Sequence, residues 1–195
     1  MSYGEPVMDD PAANSLITGA GFQYDETNEI GAASQLFPSK KFMQTETECE
    51  SGANSWDDAG RLFQLMKRYL ENNACAYFAW NMVLDDTGMS TWHWRQNALI
   101  TVNHSSGHVT YNGEYYVMRH FSQFIKPGAK RALTTGVWGD KIAFVNPDGS
   151  TVLVVGNSAQ QSYDVIMAVA RRPDGGAFRV TLPPRSVNTF VIKAL

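Results

Sequence analysis

Acidic and aromatic residues follow two apolar segments of the chain, at the point where each segment ends. The segment FMQTETE brings Glu46 and Glu48 to the end of a strand pattern, and the later segment ACAYFAWNMVL carries the pair Trp80 and Asn81. In a pair of carboxyl groups, one can attack the anomeric carbon of a sugar while the other donates a proton to the glycosidic oxygen. A tryptophan ring offers a flat apolar face that suits the C–H face of a sugar. The pattern therefore indicates carbohydrate chemistry.

Strand and helix patterns alternate through the first two thirds of the chain. Strands are predicted near residues 17–24, 42–48 and 74–82, and the last of these is so apolar that it is expected to be buried on both faces. Between them lie a short helix ending before Pro38 and a longer one for which Ser55 is the predicted N-cap. The longer helix has a core-facing apolar stripe at helical spacing, formed by Leu62, Leu65, Met66, Tyr69 and Leu70. Such alternation predicts a parallel sheet with helical crossovers.

The sequence pattern changes after about residue 128, from alternating strands and helices to strands joined by turns. Turn signals at 146–149 (NPDG) and 173–176 (PDGG) each join two β-rich runs, and a final run, SVNTFVIKAL, closes the chain. Five short strands of this kind predict an antiparallel β-sandwich. We therefore expect an α/β domain over residues 1–127 and an all-β domain over residues 128–195.

Three parallel strands do not make a closed barrel, because the barrel built from such units has eight strands. A three-stranded sheet also leaves two open edges. The first domain is therefore expected to be a partial, or half, barrel whose missing part is supplied by another chain or has been lost.

Charge and hydropathy exclude two classes of partner. The net charge of −3 and the absence of a basic stripe argue against nucleic acid. No run approaches the roughly 20 apolar residues of a membrane span. The start, MSYGEPVMDD, has neither the basic nor the apolar region of a signal peptide, so the sequence leaves the compartment open.

Five segments resemble glycoside hydrolase family 30, the glucosylceramidase-like retaining β-glycosidases. The resemblance implies a (β/α)8 barrel joined to a β-sandwich, of which this chain would hold barrel strands six to eight and most of the sandwich. The family's general acid/base lies in an Asn-Glu motif after the fourth strand, and this chain has no such segment. The segments are GAGFQYD, MQTETECESGANSW, FAWNMVLDDTGMSTWHWRQNALITVN, EYYVMRHFSQFIKPGA and LPPRSVNTFVI.

The resemblance also implies roles for particular residues. Glu46 matches the nucleophile, although an ion-paired glutamate at a strand end remains the alternative. Trp80 would form the floor of the sugar site, with core packing as its alternative. No metal or organic cofactor is implied. Tyr24 is expected to hydrogen-bond to Glu46, and Asn81 could bond a sugar hydroxyl or a neighbouring carboxylate. The other expected substrate-binding residues are Gln23, at the end of the same strand as Tyr24, and the loop residues Trp92, Trp94 and Arg95.

Glu48 is a candidate for a substitute acid. Residues i and i+2 of a strand share one face about 6.5–7 Å apart, and neighbouring carboxyl groups raise each other's proton affinity. Two side chains that point the same way cannot easily flank a glycosidic bond. A hydrogen bond that Glu48 accepts from a sugar hydroxyl or from Arg95 is therefore favoured.

Three functions remain open from the sequence. The first is a retaining β-glycosidase with weak activity on β-glucosides that depends on self-association, with a homodimer or larger oligomer covering the open strand edges. The second is a non-catalytic carbohydrate-binding or structural fragment of such an enzyme. The third is one half of a split glycosidase.

Overall fold

The computed structural model describes residues 4–48, 50–170 and 176–194. The chain forms two compact units, Met1–Tyr115 and Tyr116–Leu195. The domain boundary predicted between residues 127 and 128 stays a prediction.

The first unit contains a three-stranded sheet, four complete helices, the start of a fifth helix and a small second sheet. In chain order its elements are α1 (Gly4–Asp9), α2 (Pro11–Leu16), β1 (Gly19–Gln23), α3 (Thr27–Leu36), β2 (Lys41–Glu46), α4 (Trp56–Glu71), β3 (Ala74–Tyr77), β4 (Val83–Asp85), β5 (Ile100–Val102), β6 (Val109–Tyr111) and α5 (Gly113–Ser122).

The predicted parallel sheet is confirmed. Its strand order is β1-β2-β3, and both neighbouring pairs run parallel. Phe42 of β2 is buried in one apolar cluster with Ile30 of α3 and Tyr69 of α4. Both intervening helices thus pack on the sheet as crossover helices, which brings the carboxyl ends of the three strands to one edge.

Helix α4 begins as the sequence predicts. Ser55 accepts a hydrogen bond from the Asp58 backbone N–H (3.2 Å), and the Asp58 carboxylate accepts one from the Ser55 N–H (2.9 Å). This capping box satisfies two amides that helix formation leaves unpaired. The helix then buries Leu62, Met66 and Tyr69 along one face.

The third strand is shorter and more exposed than the sequence predicts. It ends at Tyr77, and the side chains of Phe78, Trp80 and Met82 beyond it are 54%, 47% and 68% exposed. Within the described residues β3 pairs with β2 alone, so no neighbouring strand covers its far side. The sequence also misses the small sheet, in which β5 pairs parallel with β4 and antiparallel with β6.

The second unit is antiparallel, as predicted. A four-stranded sheet has the order β12-β9-β8-β7, and β10 pairs with β11 in a second sheet. The ring of Phe178 lies 5.9 Å from that of Phe190, so the two sheets pack through aromatic side chains. Its strands are β7 (Lys130–Ala132), β8 (Lys141–Val145), β9 (Thr151–Asn157), β10 (Tyr163–Ala168), β11 (Ala177–Leu182) and β12 (Ser186–Ile192).

One of the two predicted hairpin turns can be compared with the structure. The turn at 146–149 joins β8 to β9, and Gly149 has the positive φ (81°) that glycine adopts without strain. Residues 173–175 of the other predicted turn lie outside the described residues. Among the helices that are described, none combines the length and the apolar character needed to cross a membrane.

Candidate active site

The end of β2 carries a bulge that changes its pairing with β1. Phe22 lies opposite Gln44, but Gln23 lies opposite Glu46, so Thr45 is an extra residue on β2. The Thr45 hydroxyl donates a hydrogen bond to the Phe22 carbonyl oxygen (3.1 Å). Bulges re-aim side chains at strand ends. This bulge brings Gln23 and Glu46 side by side.

Both oxygens of the Glu46 carboxylate receive hydrogen bonds from the end of β1. The Gln23 amide Nε2 donates to Oε2 (2.9 Å), and the Tyr24 hydroxyl donates to Oε1 (3.3 Å). The Tyr24 backbone N–H also donates to the Glu46 carbonyl oxygen (2.7 Å). The predicted contact between Tyr24 and Glu46 is confirmed, and the two donors together fix the orientation of the carboxylate.

Tyr24 holds its position in an unusual backbone conformation. Its φ is 52°, in the left-handed region that costs a non-glycine residue roughly 1–2 kcal/mol. The hydroxyl of Tyr69, from α4, lies 2.9 Å from the Tyr24 carbonyl oxygen. The sequence marked Tyr69 as a core residue, and no signal in it pointed to this contact.

Thr47 links the end of β2 to the residues after β3. Its side chain is 3% exposed, and its hydroxyl accepts a hydrogen bond from the Trp80 backbone N–H (2.8 Å). The Trp80 side chain is 47% exposed, which argues against core packing as its role. Trp80 is therefore displayed beside the residue that follows Glu46.

Asn81 bonds to other groups than the hydroxyl or carboxylate that the sequence predicts. Its Nδ2 donates to the Gln96 side-chain oxygen (3.0 Å) and to the Asn97 carbonyl oxygen (3.2 Å) rather than to a carboxylate. Gln96 and Asn97 are 6% and 1% exposed. Asn81 thus ties the segment after β3 to the segment before β5.

The loop after β2 is fixed against the same segment. The Asn54 N–H donates to the Asn97 side-chain oxygen (3.1 Å), and the Asn54 side-chain oxygen accepts from the Ala98 N–H (2.9 Å). Gly52 has a φ of 80°, and a Cβ there would lie 2.7 Å from the Arg95 Cβ. Only glycine allows this close approach without a shift.

Two tryptophans stack on a tight loop between β4 and β5. The rings of Trp92 and Trp94 lie 5.6 Å apart at 17°, and their side chains are 71% and 49% exposed. The loop is closed by the Ser90 N–H, which donates to the Trp94 carbonyl oxygen (2.9 Å). Exposed rings on such a loop form a flat apolar surface.

Glu48 departs from the strand geometry that the sequence predicts. Strand β2 ends at Glu46, and the exposed Glu48 lies two residues beyond it, so the spacing of a strand does not apply. Glu48 and Arg95 both lie in the described part of the chain, and no ion pair joins them there. The structure therefore gives no support to the expected contact between them.

A buried carboxyl group lies at the start of α5. Glu114 is 8% exposed, and within the described residues its Oε2 has no hydrogen-bond partner. Burial is the main cause that raises the pKa of Glu114 to about 7, and the negative charges of Asp58 and Glu50 add to it. Both of those acids pair with Arg61, which partly offsets their effect. No signal in the sequence pointed to this group.

The described residues contain no group of three or more His, Cys, Asp or Glu side chains placed to hold a metal ion. The site is instead built from amides, hydroxyls, tryptophans and the Glu46 carboxylate, at the carboxyl ends of β1, β2 and β3.

Comparisons with known proteins agree with this architecture. The family model for the glycosyl hydrolase family 30 beta sandwich domain matches residues 132–190. Lysosomal acid glucosylceramidase of Mus musculus is 26% identical over 206 residues, a match that covers 97% of this chain and 39% of the relative. Endo-1,6-beta-D-glucanase neg1 of Aspergillus fumigatus is 29% identical over 165 residues, covering 78% of this chain and 32% of the relative.

The fold itself matches a solved structure. The crystal structure of SrfJ from Salmonella typhimurium superposes with a TM-score of 0.87 at 24% identity, covering 100% of this chain and 45% of that protein. The chain spans about two fifths of the length of the first curated relatives it matches. These matches confirm the resemblance seen in the sequence: the chain is similar to the C-terminal part of family 30 glycoside hydrolases, and the family's β-sandwich model matches residues 132–190.

Proposed function

We propose that this chain carries the nucleophile side of a retaining β-glycosidase site, with Glu46 as the nucleophile. The observation that carries the proposal is the Glu46 carboxylate itself. It lies at the carboxyl end of the middle strand, with each oxygen held by a donor from the neighbouring strand. Catalytic groups of β/α barrels occupy this end of the strands.

The reaction follows from this arrangement. One Glu46 oxygen attacks the anomeric carbon, the bond to the leaving oxygen breaks, and a covalent glycosyl ester forms that water then hydrolyses. A second carboxyl group about 5–5.5 Å away must protonate the leaving oxygen and later activate the water. That acid would be Glu48, a carboxyl group of another polypeptide, or water. Activity is therefore expected to be weak and best on aryl glycosides, whose leaving groups need little protonation.

The surrounding side chains suit a sugar. Trp80 is exposed beside Thr47 and would stack on the sugar ring. The Gln23 side chain, which bonds to Glu46, would also bond to a sugar hydroxyl. The stacked pair Trp92 and Trp94 would receive the leaving group or a further sugar, with Arg95 beside them. We propose β-glucosides as the first substrate class to test, because the mouse relative is called a glucosylceramidase.

We further propose that the first unit is half of a β/α barrel and that it self-associates. Within the described residues, β1 and β3 each pair with one strand only, and such open edges favour association. A twofold dimer would bring together two sets of three strands, fewer than the eight of a closed barrel. The second subunit would offer carboxyl groups that the first cannot place opposite its own Glu46.

Two alternatives compete with this function. The first is a non-catalytic carbohydrate-binding or structural fragment of such an enzyme, for which the exposed rings of Trp80, Trp92 and Trp94 would supply a binding surface. In the second, the chain is one half of a split glycosidase and a separate polypeptide brings the acid/base.

The experiment fractionates the purified chain by size and assays each fraction on nitrophenyl β-glucoside. The wild type is compared with Glu46→Gln, and with Glu48→Gln as a matched control of the same chemistry. We expect activity in an associated species that disappears in Glu46→Gln. Activity retained in Glu48→Gln would assign the acid to another group, whereas its loss would favour Glu48.

A folded wild type with no more activity than Glu46→Gln in any fraction would contradict an active self-assembled site. Sugar binding that survives in both variants would then favour the binding fragment. Activity restored by a polypeptide that carries the missing barrel strands would favour the split enzyme.

A further inference from the structure

Tyr69 occupies an unusual position for a residue of the apolar core. Its side chain is 0% exposed among Ile30, Phe42 and Ala74, yet its hydroxyl reaches the loop that follows β1. Burial raises the pKa of Tyr69 to about 12, so the hydroxyl keeps its proton at neutral pH and can both donate and accept.

The hydroxyl joins three backbone groups of that loop. It accepts a hydrogen bond from the Glu26 N–H (3.0 Å) and lies within donating distance of the carbonyl oxygens of Tyr24 (2.9 Å) and Gln23 (3.2 Å). Gln23 and Tyr24 are the two residues whose side chains hold the Glu46 carboxylate. A single buried oxygen therefore fixes the backbone that presents both donors.

We propose that Tyr69 is a positioning residue for Glu46: its hydroxyl holds the backbone of residues 23–26 so that Gln23 and Tyr24 stay aimed at the carboxylate. The inference deepens the proposed function and rests on it for the role of Glu46. The contact through which Tyr69 acts can be tested whether or not Glu46 is a nucleophile.

The strained backbone of Tyr24 explains why such an anchor is needed. A tyrosine with a φ of 52° relaxes to an extended or right-handed conformation unless neighbouring groups hold it. Relaxation at this residue would turn its side chain away from Glu46. Without the Tyr69 hydroxyl, the Glu26 N–H and the Tyr24 carbonyl oxygen would lose their bonds to it and be free to seek water.

Another contact to the same loop is weaker. Arg68, the preceding residue of α4, pairs with Asp25 at 3.1 Å, but the two side chains are 45% and 56% exposed. Exposed pairs of this kind hold a loop loosely. The buried hydroxyl of Tyr69 is thus the firmer of the two links.

The chain offers a matched control in Tyr77. Its ring lies 6.0 Å from that of Tyr69 in the same core, and its hydroxyl, which faces the Thr47 side chain, makes no bond to the described residues of the loop that follows β1. Tyr69→Phe and Tyr77→Phe therefore remove the same atom from the same environment. Only the first removes bonds to the loop.

The test records the side-chain amide protons of Gln23 and the backbone amide proton of Glu26 by NMR, in the wild type and in both variants. In the wild type we expect both to be shifted and protected from exchange with solvent. Tyr69→Phe should move the Gln23 side-chain signals towards those of a free amide and speed exchange at Glu26 at least about tenfold. Tyr77→Phe should leave both unchanged.

Activity gives a second measurement. Where the wild type turns over nitrophenyl β-glucoside, Tyr69→Phe should lower kcat by about 10- to 100-fold with little change in KM, because displacement by an ångström can cost about 100-fold. Tyr77→Phe should keep both constants.

Gln23 signals that do not move in Tyr69→Phe, with kcat unchanged, would overturn the proposal even if the variant were less stable. Should Tyr69→Phe not fold, the wild type decides, since a Glu26 amide that exchanges like an open loop contradicts the anchor. An inactive wild type with the predicted NMR changes would instead count against an active site assembled by this chain alone and leave the positioning contact standing.

Discussion

The buried carboxyl group of Glu114 predicts a specific dependence of stability on pH. Its pKa rises from an ordinary value of 4.5 in the unfolded chain to about 7 in the folded one, chiefly through burial. Between those values the folded state keeps a proton that the unfolded state releases. The stability that this proton provides is therefore fully present below pH 4.5 and is lost as the pH rises through 7.

The size of the effect follows from the two pKa values. The shift corresponds to about 3 kcal/mol in total. Between pH 5 and pH 8 the contribution of Glu114 to the free energy of unfolding should fall by about 2.5 kcal/mol, and most of this loss should occur before pH 7.

The assay compares the wild type with Glu114→Gln, which keeps the shape and cannot titrate. Urea unfolding followed by tryptophan fluorescence gives the free energy of unfolding of each at intervals from pH 5 to pH 8. The difference between the two curves isolates Glu114. The difference also cancels the contribution of His120, which both proteins share. Burial lowers the pKa of His120 below 6.5, so the stability that this residue contributes is lost as the pH falls from 6.5 towards the lowered pKa. A difference that stays constant over this range would refute the reasoning.

Three other changes have clear expected results. Ser55→Ala breaks the capping box and should lower the free energy of unfolding by about 1 kcal/mol. Ser51→Ala, in the exposed loop, should change the free energy of unfolding by less than about 0.5 kcal/mol, and equal effects of the two changes in urea unfolding would contradict the cap. Phe42→Ala should cost about 3–5 kcal/mol because Phe42 is 1% exposed, and Phe78→Ala, at 54% exposed, should cost far less by the same measurement. Trp92→Ala should leave stability within about 0.5 kcal/mol and raise the KM for an aryl glucoside severalfold through loss of stacking, and an unchanged KM would exclude this ring from substrate binding.

The elements that the sequence predicts well are those set by local patterns. The N-cap Ser55, the apolar face of α4 and the glycine turn at Gly149 each depend on a few neighbouring residues, and all appear in the structure. The parallel order of β1, β2 and β3 also follows, because helices separate the strands. Because parallel strands end at one edge, the strand order also places Gln23 and Tyr24 near Glu46, while the bulge at Thr45 sets the pairing that brings Gln23 beside it.

The remaining features depend on pairing between distant segments. The bulge at Thr45 is a mismatch between two strands, and neither strand reveals it alone. Strand β2 ends at Glu46, directly after the bulge, so Glu48 lies outside the strand and the spacing argument for Glu48 fails. The strands β4, β5 and β6 have three residues each, too few for a periodic pattern to identify.

The sequence also does not predict the buried polar contacts. Tyr69 fits an apolar stripe as well as leucine would, and only the folded chain shows where its hydroxyl lies. Thr47, Asn54 and Asn97 look like ordinary loop residues in the sequence. Their hydrogen bonds join segments 33 to 44 residues apart along the chain, which local patterns do not encode.

If Glu46 is the nucleophile, it forms the covalent bond to the sugar. The most direct measurement treats the chain with a 2-deoxy-2-fluoro-β-glucoside that bears a good leaving group, digests the protein and locates the sugar by mass spectrometry. We expect one glycosyl ester, on the peptide that contains Glu46, and none in Glu46→Gln. A sugar attached to any other residue, or hydrolysis of a β-glucoside that persists in Glu46→Gln, would contradict it.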